Sequence, residues 1–272
     1  MKNELVVILP AYNEEQNVEK MVTTWLKGQR KIKERHALNL HIVIVNDGSS
    51  DATKEIATRL SEQFPNVTLL NHEKNKGLGA AVKTGLSYAA ERETCAFACL
   101  MDCDNTQDPK YVLSMLRKIG RETTQTTAEE LQADVVIASR YQRGASVQGV
   151  AGYRLLTSQG ARFVYSLLLG VKGVRDYTCG YRLYTSEILK KGFSQYGEDL
   201  VSETGFTCMA EVLYKLSLCG ARFLEVPFEL RYDFKEGNSK MKVVKTAIDS
   251  VRLALRLRAG GRSNGKEHQK DI

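Results

Sequence analysis

The chain has 272 residues, 43% of them hydrophobic and 26% charged, with a net charge of +7, an ordinary globular balance with enough chain for a proper core. Its six cysteines, Cys95, Cys99, Cys103, Cys179, Cys208 and Cys219, form no CxxC pair and have no clustered histidines beside them, which argues against a disulfide framework or zinc site and for reduced thiols in the cytosol. No apolar run reaches membrane length, and the short one between Glu4 and Asn13 does not make a signal peptide. From Lys240 onward nine Lys and Arg stand against three acidic residues, so nearly all of the net charge sits in the tail.

Leu5–Leu9 is a continuous apolar run closed by Pro10, the pattern of a buried parallel strand. A helix is predicted over about Glu14–Arg35. His41–Val45 repeats the strand pattern, followed by Asn46-Asp-Gly-Ser-Ser-Asp51 and a helix that Ser50 or Asp51 would cap. Val67–Asn71 predicts a third strand, Gly77–Glu91 a helix and Thr94–Met101 a fourth strand that runs into Asp102-Cys103-Asp104. Alternation of this kind predicts a doubly wound, mostly parallel α/β sheet whose ligands bind at the carboxyl ends of its strands. Beyond a polar stretch at 121–131, Ala133–Ala138 reads as a strand, Gly144–Gly152 as a loop and Arg154–Leu169 as a helix. A short segment over Arg175–Tyr184, a helix over Glu203–Cys219 and a last strand over Ala221–Val226 follow. Lys242–Arg258 is helical, with Val244, Ala247, Ile248, Val251 and Leu255 in one apolar stripe that Leu253, Leu257 and Val243 widen, and Lys245, Arg252 and Arg256 in a basic face. Such a helix either lies on an anionic membrane or docks on the core. The tail has no interleaved aromatics, which argues against nucleic acid as a partner.

Asp102 and Asp104 flank one residue at a strand end, so their side chains share a face and can hold one hard cation, Mg2+ or Mn2+, against a substrate phosphate. Asp47, before Gly48, is either a capping Asx turn or an acceptor for a nucleobase or ribose group.

Seven segments carry a resemblance: Pro10-Ala-Tyr-Asn-Glu14, Asn46-Asp-Gly-Ser-Ser-Asp51, Asn75-Lys-Gly-Leu-Gly-Ala80, Met101-Asp-Cys-Asp104, Ser139-Arg-Tyr141, Asp176-Tyr-Thr-Cys-Gly-Tyr-Arg182 and Gly237-Asn-Ser-Lys-Met241. In this order they resemble glycosyltransferase family 2, and within it the polyprenyl-phosphate sugar synthases. The resemblance implies a GT-A fold over residues 1–240 (a nucleotide-sugar half to about 140, an acceptor half to 240); beyond it the residues themselves predict a basic amphipathic helix at 241–258 and a disordered tail at 259–272. It implies an inverting transfer of a hexose from a GDP- or UDP-linked donor to a polyprenyl phosphate by an enzyme that is cytoplasmic and peripheral on the inner face of the membrane. Pro10, Tyr12, Glu14 and Asp47 would line the donor pocket, Asp102 and Asp104 would bind donor and metal, and Gln107 stands one residue later than the family's metal-contacting glutamine. Arg140, Arg154, Arg231 and Lys240 would bind acceptor or phosphate, Lys235 being an alternative to Arg231.

The acceptor stays open on the residues alone. A hydroxyl needs a general base, for which Glu203 is the candidate. A phosphate monoester, with a second pKa of about 6, is largely dianionic at neutral pH and needs cations to position it, which Arg140, Arg143, Arg154, Arg162, Arg175, Arg182, Arg231 and Lys240 offer. A nucleotidyltransferase would show a glycine-rich phosphate loop after the first strand, unlike Pro10–Glu14, and a silent scaffold would not need clustered carboxylates.

Overall fold

Every residue from Leu5 to Leu9 is 0% exposed, as happens in a strand flanked by others and covered on both faces. The structure, a computed structural model, describes residues 2–120, 131–149, 160, 162–234 and 248–259. In chain order it contains β1 (Glu4–Ala11), α1 (Val18–His36), β2 (Asn39–Asp47), α2 (Thr53–Gln63), β3 (Val67–His72), α3 (Leu78–Glu91), β4 (Cys95–Leu100), α4 (Val112–Lys118), β5 (Val135–Ser139) and β6 (Ser146–Gln148). There follow α5 (162–168), β7 (Arg182–Thr185), α6 (Ser186–Tyr196), α7 (Cys208–Leu218), β8 (Phe223–Pro227), β9 (Glu229–Arg231) and α8 (248–259).

The main sheet has the order β3-β2-β1-β4-β7-β5-β8. All its pairings are parallel except those of β7, which runs antiparallel to both β4 and β5. The expected doubly wound, mostly parallel architecture is what forms. β6 and β9 make a separate two-stranded parallel pair.

Helices cover the sheet through apolar faces at helical spacing. In α1 the buried residues are Val18, Met21, Val22, Trp25 and Ile32, with His36. α3 approaches more closely, because its inner face is Gly79, Ala81, Val82, Gly85, Leu86, Ala89 and Ala90. A Cβ on Gly85 would stand 2.2 Å from Ile8 Cγ2, so only glycine lets this helix lie so near β1.

Several boundaries differ from the sequence expectation, each for a local reason. α1 begins at Val18 rather than Glu14 because Glu14–Asn17 close a turn, with Asn17 N and Val18 N both donating to Glu14 O. The helix expected from Glu203 begins at Cys208, since Glu211 holds the preceding segment as a loop. The Gly144–Gly152 loop contains β6. β7 and α6 were not expected; Thr185 ends the first and caps the second, its Oγ1 accepting from Ile188 N at 3.3 Å. Neither Ser50 nor Asp51 takes the N-cap position of α2, which falls on Ala52; Asp51, one residue before it, accepts from Thr53 N at 3.0 Å.

α8 is amphipathic twice over. Ser250, Leu253, Ala254 and Leu257 are buried, so the helix docks on the body. Ile248, Val251 and Leu255, on the opposite face, are 48%, 40% and 54% exposed.

Candidate active site

The loops leaving β1 to β4 lie along one edge of the sheet and are stitched together by side chains. After β1, in which Pro10 pairs opposite Val45, Asn13 donates from its backbone to Ser49 Oγ (3.0 Å) and accepts from Ser50 N at Oδ1 (2.9 Å). Glu14 N donates to Thr53 Oγ1 (2.7 Å), and the Glu14 carboxylate accepts from Asn17 Nδ2 (2.8 Å). Tyr12 is exposed on this loop. After β2, Asn46 Oδ1 accepts from Ser49 N and Oγ, while its Nδ2 donates to Asn71 on β3 (2.6 Å).

Asp47, 2% exposed, is the hub of this edge. Its Oδ1 accepts from His72 Nδ1 (2.7 Å) and Lys76 N (3.0 Å), and its Oδ2 from Gly77 N (2.9 Å). His72 in turn meets Thr84 Oγ1 of α3 through Nε2 (2.9 Å). Three of a carboxylate's roughly four acceptor directions thus organise the glycine-bearing loop ahead of α3. The backbones also touch directly. A Cβ on Gly48, which adopts φ +64°, would meet the Lys74 carbonyl carbon at 2.3 Å.

Cys103 is buried, whereas Asp102 and Asp104 on either side of it are half-buried, so the two carboxylates share the outer face of the bend that follows β4. Gln107 binds Asp102 twice: Nε2 donates to Oδ2 (2.7 Å) and Oε1 accepts from Asp102 N (3.3 Å). Asp104 Oδ1 accepts from Thr106 N (3.1 Å) and Oγ1 (2.6 Å). Asn105, at φ 60°, ties the bend to α1 by donating from Nδ2 to Asn17 Oδ1 (2.8 Å). Among the described residues no group of three or more His, Cys, Asp and Glu converges as a metal cage. Two carboxylates backed by substrate phosphate are a donor set that suits Mg2+ or Mn2+. Gln107 serves this pair by fixing Asp102.

The second half of the chain approaches the bend at two points. A Cβ on Gly180 would come within 3.0 Å of Asp102 Oδ1, and Arg231 N donates to Thr106 O (2.9 Å). Arg231 also forms a two-point ion pair with Asp233 (2.9 and 2.7 Å). Arg140 is committed inside the chain: Nε and Nη2 donate to the fully buried Asp176 and Nη2 also to Thr178 Oγ1 (2.6 Å). Burial opposes the charge on Arg140, but Asp176 outweighs it and raises the pKa further. Arg182, expected among the available cations, is 0% exposed and donates to the carbonyls of Tyr177, Cys179 and Met209. Glu203 lies beside the start of α3. Its Oε2 accepts from Thr207 Oγ1 (2.5 Å), and its Oε1 is ion-paired with Arg256 Nη2 of α8. Arg154, Lys235 and Lys240 lie outside the described residues.

Sequence reasoning gave no role to Asp176, His72 or Glu211, and placed Arg256 only in the basic face of the C-terminal helix. Asp176 lay inside a quoted motif, and Arg256 on the expected amphipathic helix, but their partners become visible only in three dimensions.

The fold is that of GT-A glycosyltransferases. One solved neighbour, a mannosyltransferase from Pyrobaculum calidifontis in complex with GDP-Man and Mn2+, superposes with a TM-score of 0.52 at 14% identity, covering 98% of this chain and 76% of that one. The family described as Glycosyl transferase family 2 matches residues 6–193, and the chain belongs to it; it is a glycosyltransferase. It is 29% identical over 263 residues to the dolichyl-phosphate beta-glucosyltransferase ALG5A of Trichomonas vaginalis, covering 94% of this chain and 74% of the relative. To the polyprenol monophosphomannose synthase of Mycolicibacterium smegmatis it is 30% identical over 226 residues, covering 82% and 75%.

Proposed function

We propose that this enzyme moves a hexose from a nucleotide-sugar to a polyprenyl phosphate at a membrane surface, with inversion at the anomeric carbon. In the proposed step an acceptor phosphate oxygen attacks the anomeric carbon while the bond to the nucleoside diphosphate breaks. One direct displacement of this kind inverts the centre. Pro10, Tyr12, Glu14 and Asp47 line the donor side, Asp102 and Asp104 hold Mg2+ or Mn2+, and Arg231 stands beside their bend to meet phosphate. The metal would neutralise charge on the departing diphosphate. Arg140 supports the site by fixing the turn that carries Gly180 against Asp102.

The observation that carries the choice of acceptor is Glu203. Each of its oxygens already accepts from the chain, from Thr207 Oγ1 and Arg256 Nη2, so a hydroxyl substrate seeking a base would have to share Glu203 with a hydroxyl and a guanidinium. A dianionic phosphate needs no base. The names of the relatives point the same way. Peripheral membrane contact is supported by the outer faces of α5 and α8. Phe163 and Leu167, one helical turn apart on α5, are 68% and 65% exposed, and on α8 Arg252 and Arg258 flank the open stripe. Among the described residues no helix is long and apolar enough to cross a membrane.

The test is nucleoside diphosphate release from a panel of UDP- and GDP-sugars, with Mg2+ or Mn2+ and short-chain polyprenyl phosphate, using Asp104→Ala as control. Lipid-dependent release that Asp104→Ala abolishes is expected. Release that needs Asp104 but ignores the lipid would assign a hydroxyl acceptor and make Glu203→Gln the next variant. No turnover of any sugar-nucleotide in the panel would sink the proposal.

A further inference from the structure

We propose that Arg256 is a positioning residue for the donor side of the site, acting on Asp47 through Glu203 and the loop that opens α3. The inference rests on reading that edge as a nucleotide-sugar site.

Four contacts run in series from the C-terminal helix to Asp47. The first is the ion pair between Arg256 Nη2 and Glu203 Oε1. The second is the clamp on Glu203 itself. The 1%-exposed Glu211 accepts from Ser202 N (2.9 Å) and Glu203 N (2.8 Å), and Thr207 Oγ1 binds the other carboxylate oxygen. Held at backbone and side chain, Glu203 cannot swing to follow Arg256; a shift in α8 moves the whole segment or breaks the pair.

The third contact joins that segment to α3. Gly79 N donates to Thr204 O at 3.0 Å. A Cβ on Gly79 would lie 1.7 Å from Glu203 O, and one on Gly77 would lie 2.5 Å from Thr204 O. Here two backbones meet with no side chain between them, so a displacement of one is passed to the other rather than absorbed. The fourth contact is on the far side of the same loop, where Lys76 N and Gly77 N donate to the carboxylate of Asp47. The carboxylate proposed to meet the donor thus takes its setting from a loop whose other face rests on Glu203.

Arg256 belongs to a helix that attaches to the body by a small apolar face, Leu253, Ala254 and Leu257. Its ion pair is a polar tie between that helix and the loop system. The Arg256 side chain is 62% exposed, and pairs this open contribute little to global stability. Removing it therefore tests position and leaves folding largely untouched.

The experiment is calorimetric titration of the full-length protein with UDP and with GDP, each with Mg2+ and without lipid. It compares wild type with Arg256→Ala, Arg256→Glu, Arg256→Lys and the charge-exchanged Arg256→Glu/Glu203→Arg. Weakening of Kd by roughly two- to fivefold is expected in Arg256→Ala, the most that an exposed pair can transmit, and more in Arg256→Glu. Arg256→Lys and the exchanged pair should recover most of it. A role confined to folding would lower the fraction of binding-competent protein and leave Kd unchanged. If wild type binds a nucleoside diphosphate and Arg256→Ala and Arg256→Glu bind it equally well, the inference is overturned and the donor site stands. If wild type binds neither nucleotide, the reading of the donor site falls, and the inference with it.

Discussion

The guanidinium of Arg140 closes on the carboxylate of Asp176 in a two-point fork, Nε to Oδ2 at 2.8 Å and Nη2 to Oδ1 at 2.6 Å, while Arg140 N donates to the same Oδ2 at 3.1 Å. Asp176 is 0% exposed and also accepts from Cys179 N (3.0 Å). Glu225 on β8 secures the approach, accepting from Arg175 N and Asp176 N, both at 2.7 Å. Asp176→Asn keeps the shape but leaves a buried guanidinium without its counter-charge. It should lose about 3–5 kcal/mol of stability, read as a lower urea midpoint.

The same pair fixes a pH dependence. Burial alone would raise the pKa of Asp176; Arg140 and the surrounding N–H groups outweigh it and hold the carboxyl below its ordinary value. Because the folded value lies below the unfolded one, about 3.9, the contribution is complete above that pH and is lost as pH falls through the folded value. Urea midpoints measured downward from neutral pH should drop on the acid side, and the drop should be smaller in Asp176→Asn. Identical acid limbs would show that other carboxylates set it.

Gly79 tests the contact between α3 and the 203–204 segment. Its Cβ, 1.7 Å from a carbonyl oxygen, can be accommodated only if the two backbones part. Gly79→Ala should lose about 1–3 kcal/mol and weaken nucleotide binding. Gly28 is the control, lying inside α1 with nothing within 4 Å of its Cβ position; Gly28→Ala should gain up to about 1 kcal/mol. Thermal midpoints of the two variants moving in the same direction would refute this account.

All six thiols are buried. Desolvation pushes Cys95 and Cys179 up to about 12 and Cys99 and Cys208 further still, and only a thiolate reacts readily. An aromatic disulfide reagent at mildly alkaline pH should find almost no thiol in the native protein and six after denaturation. Fast labelling of the native chain would contradict this burial.

The outer faces of α5 and α8 make the membrane reading testable without turnover. Phe163→Ser with Leu167→Ser, or Ile248→Ser with Leu255→Ser, should weaken co-sedimentation with anionic vesicles by roughly tenfold or more. Arg252→Ala should make the remaining binding less sensitive to salt. Unchanged sedimentation in both double variants would remove these helices from the membrane contact.

What the sequence disclosed follows from how its signals are made. β1 to β4 are apolar runs that end in polar loops, so each strand and the edge they share can be read locally. β7 could not be read so: it opens with Arg182, whose burial is tolerable only because three carbonyls receive it, two from the turn just before it and one, Met209 O, from α7. Asp102 and Asp104 were legible from spacing and from the strand before them. The commitments of Asp47 to His72, and of Glu203 to Arg256, were not, since the partners lie 25 and 53 residues away. The apolar positions of α8 were legible, Leu253 and Leu257 among them, but which of them dock depends on a body that the helix's own pattern does not contain.

The antiparallel β7 has a further consequence, for the order of synthesis. It is the strand through which β1–β4 and the β5-β8 pair become one sheet. β5 leaves the ribosome about forty-six residues before β7 does, and β8 follows later still. At 5–20 residues per second, β5 waits for roughly two to nine seconds with both edges unpaired. A nascent chain in that interval is a four-stranded parallel sheet trailing an apolar ribbon, the state in which chaperone capture or aggregation has its best opportunity.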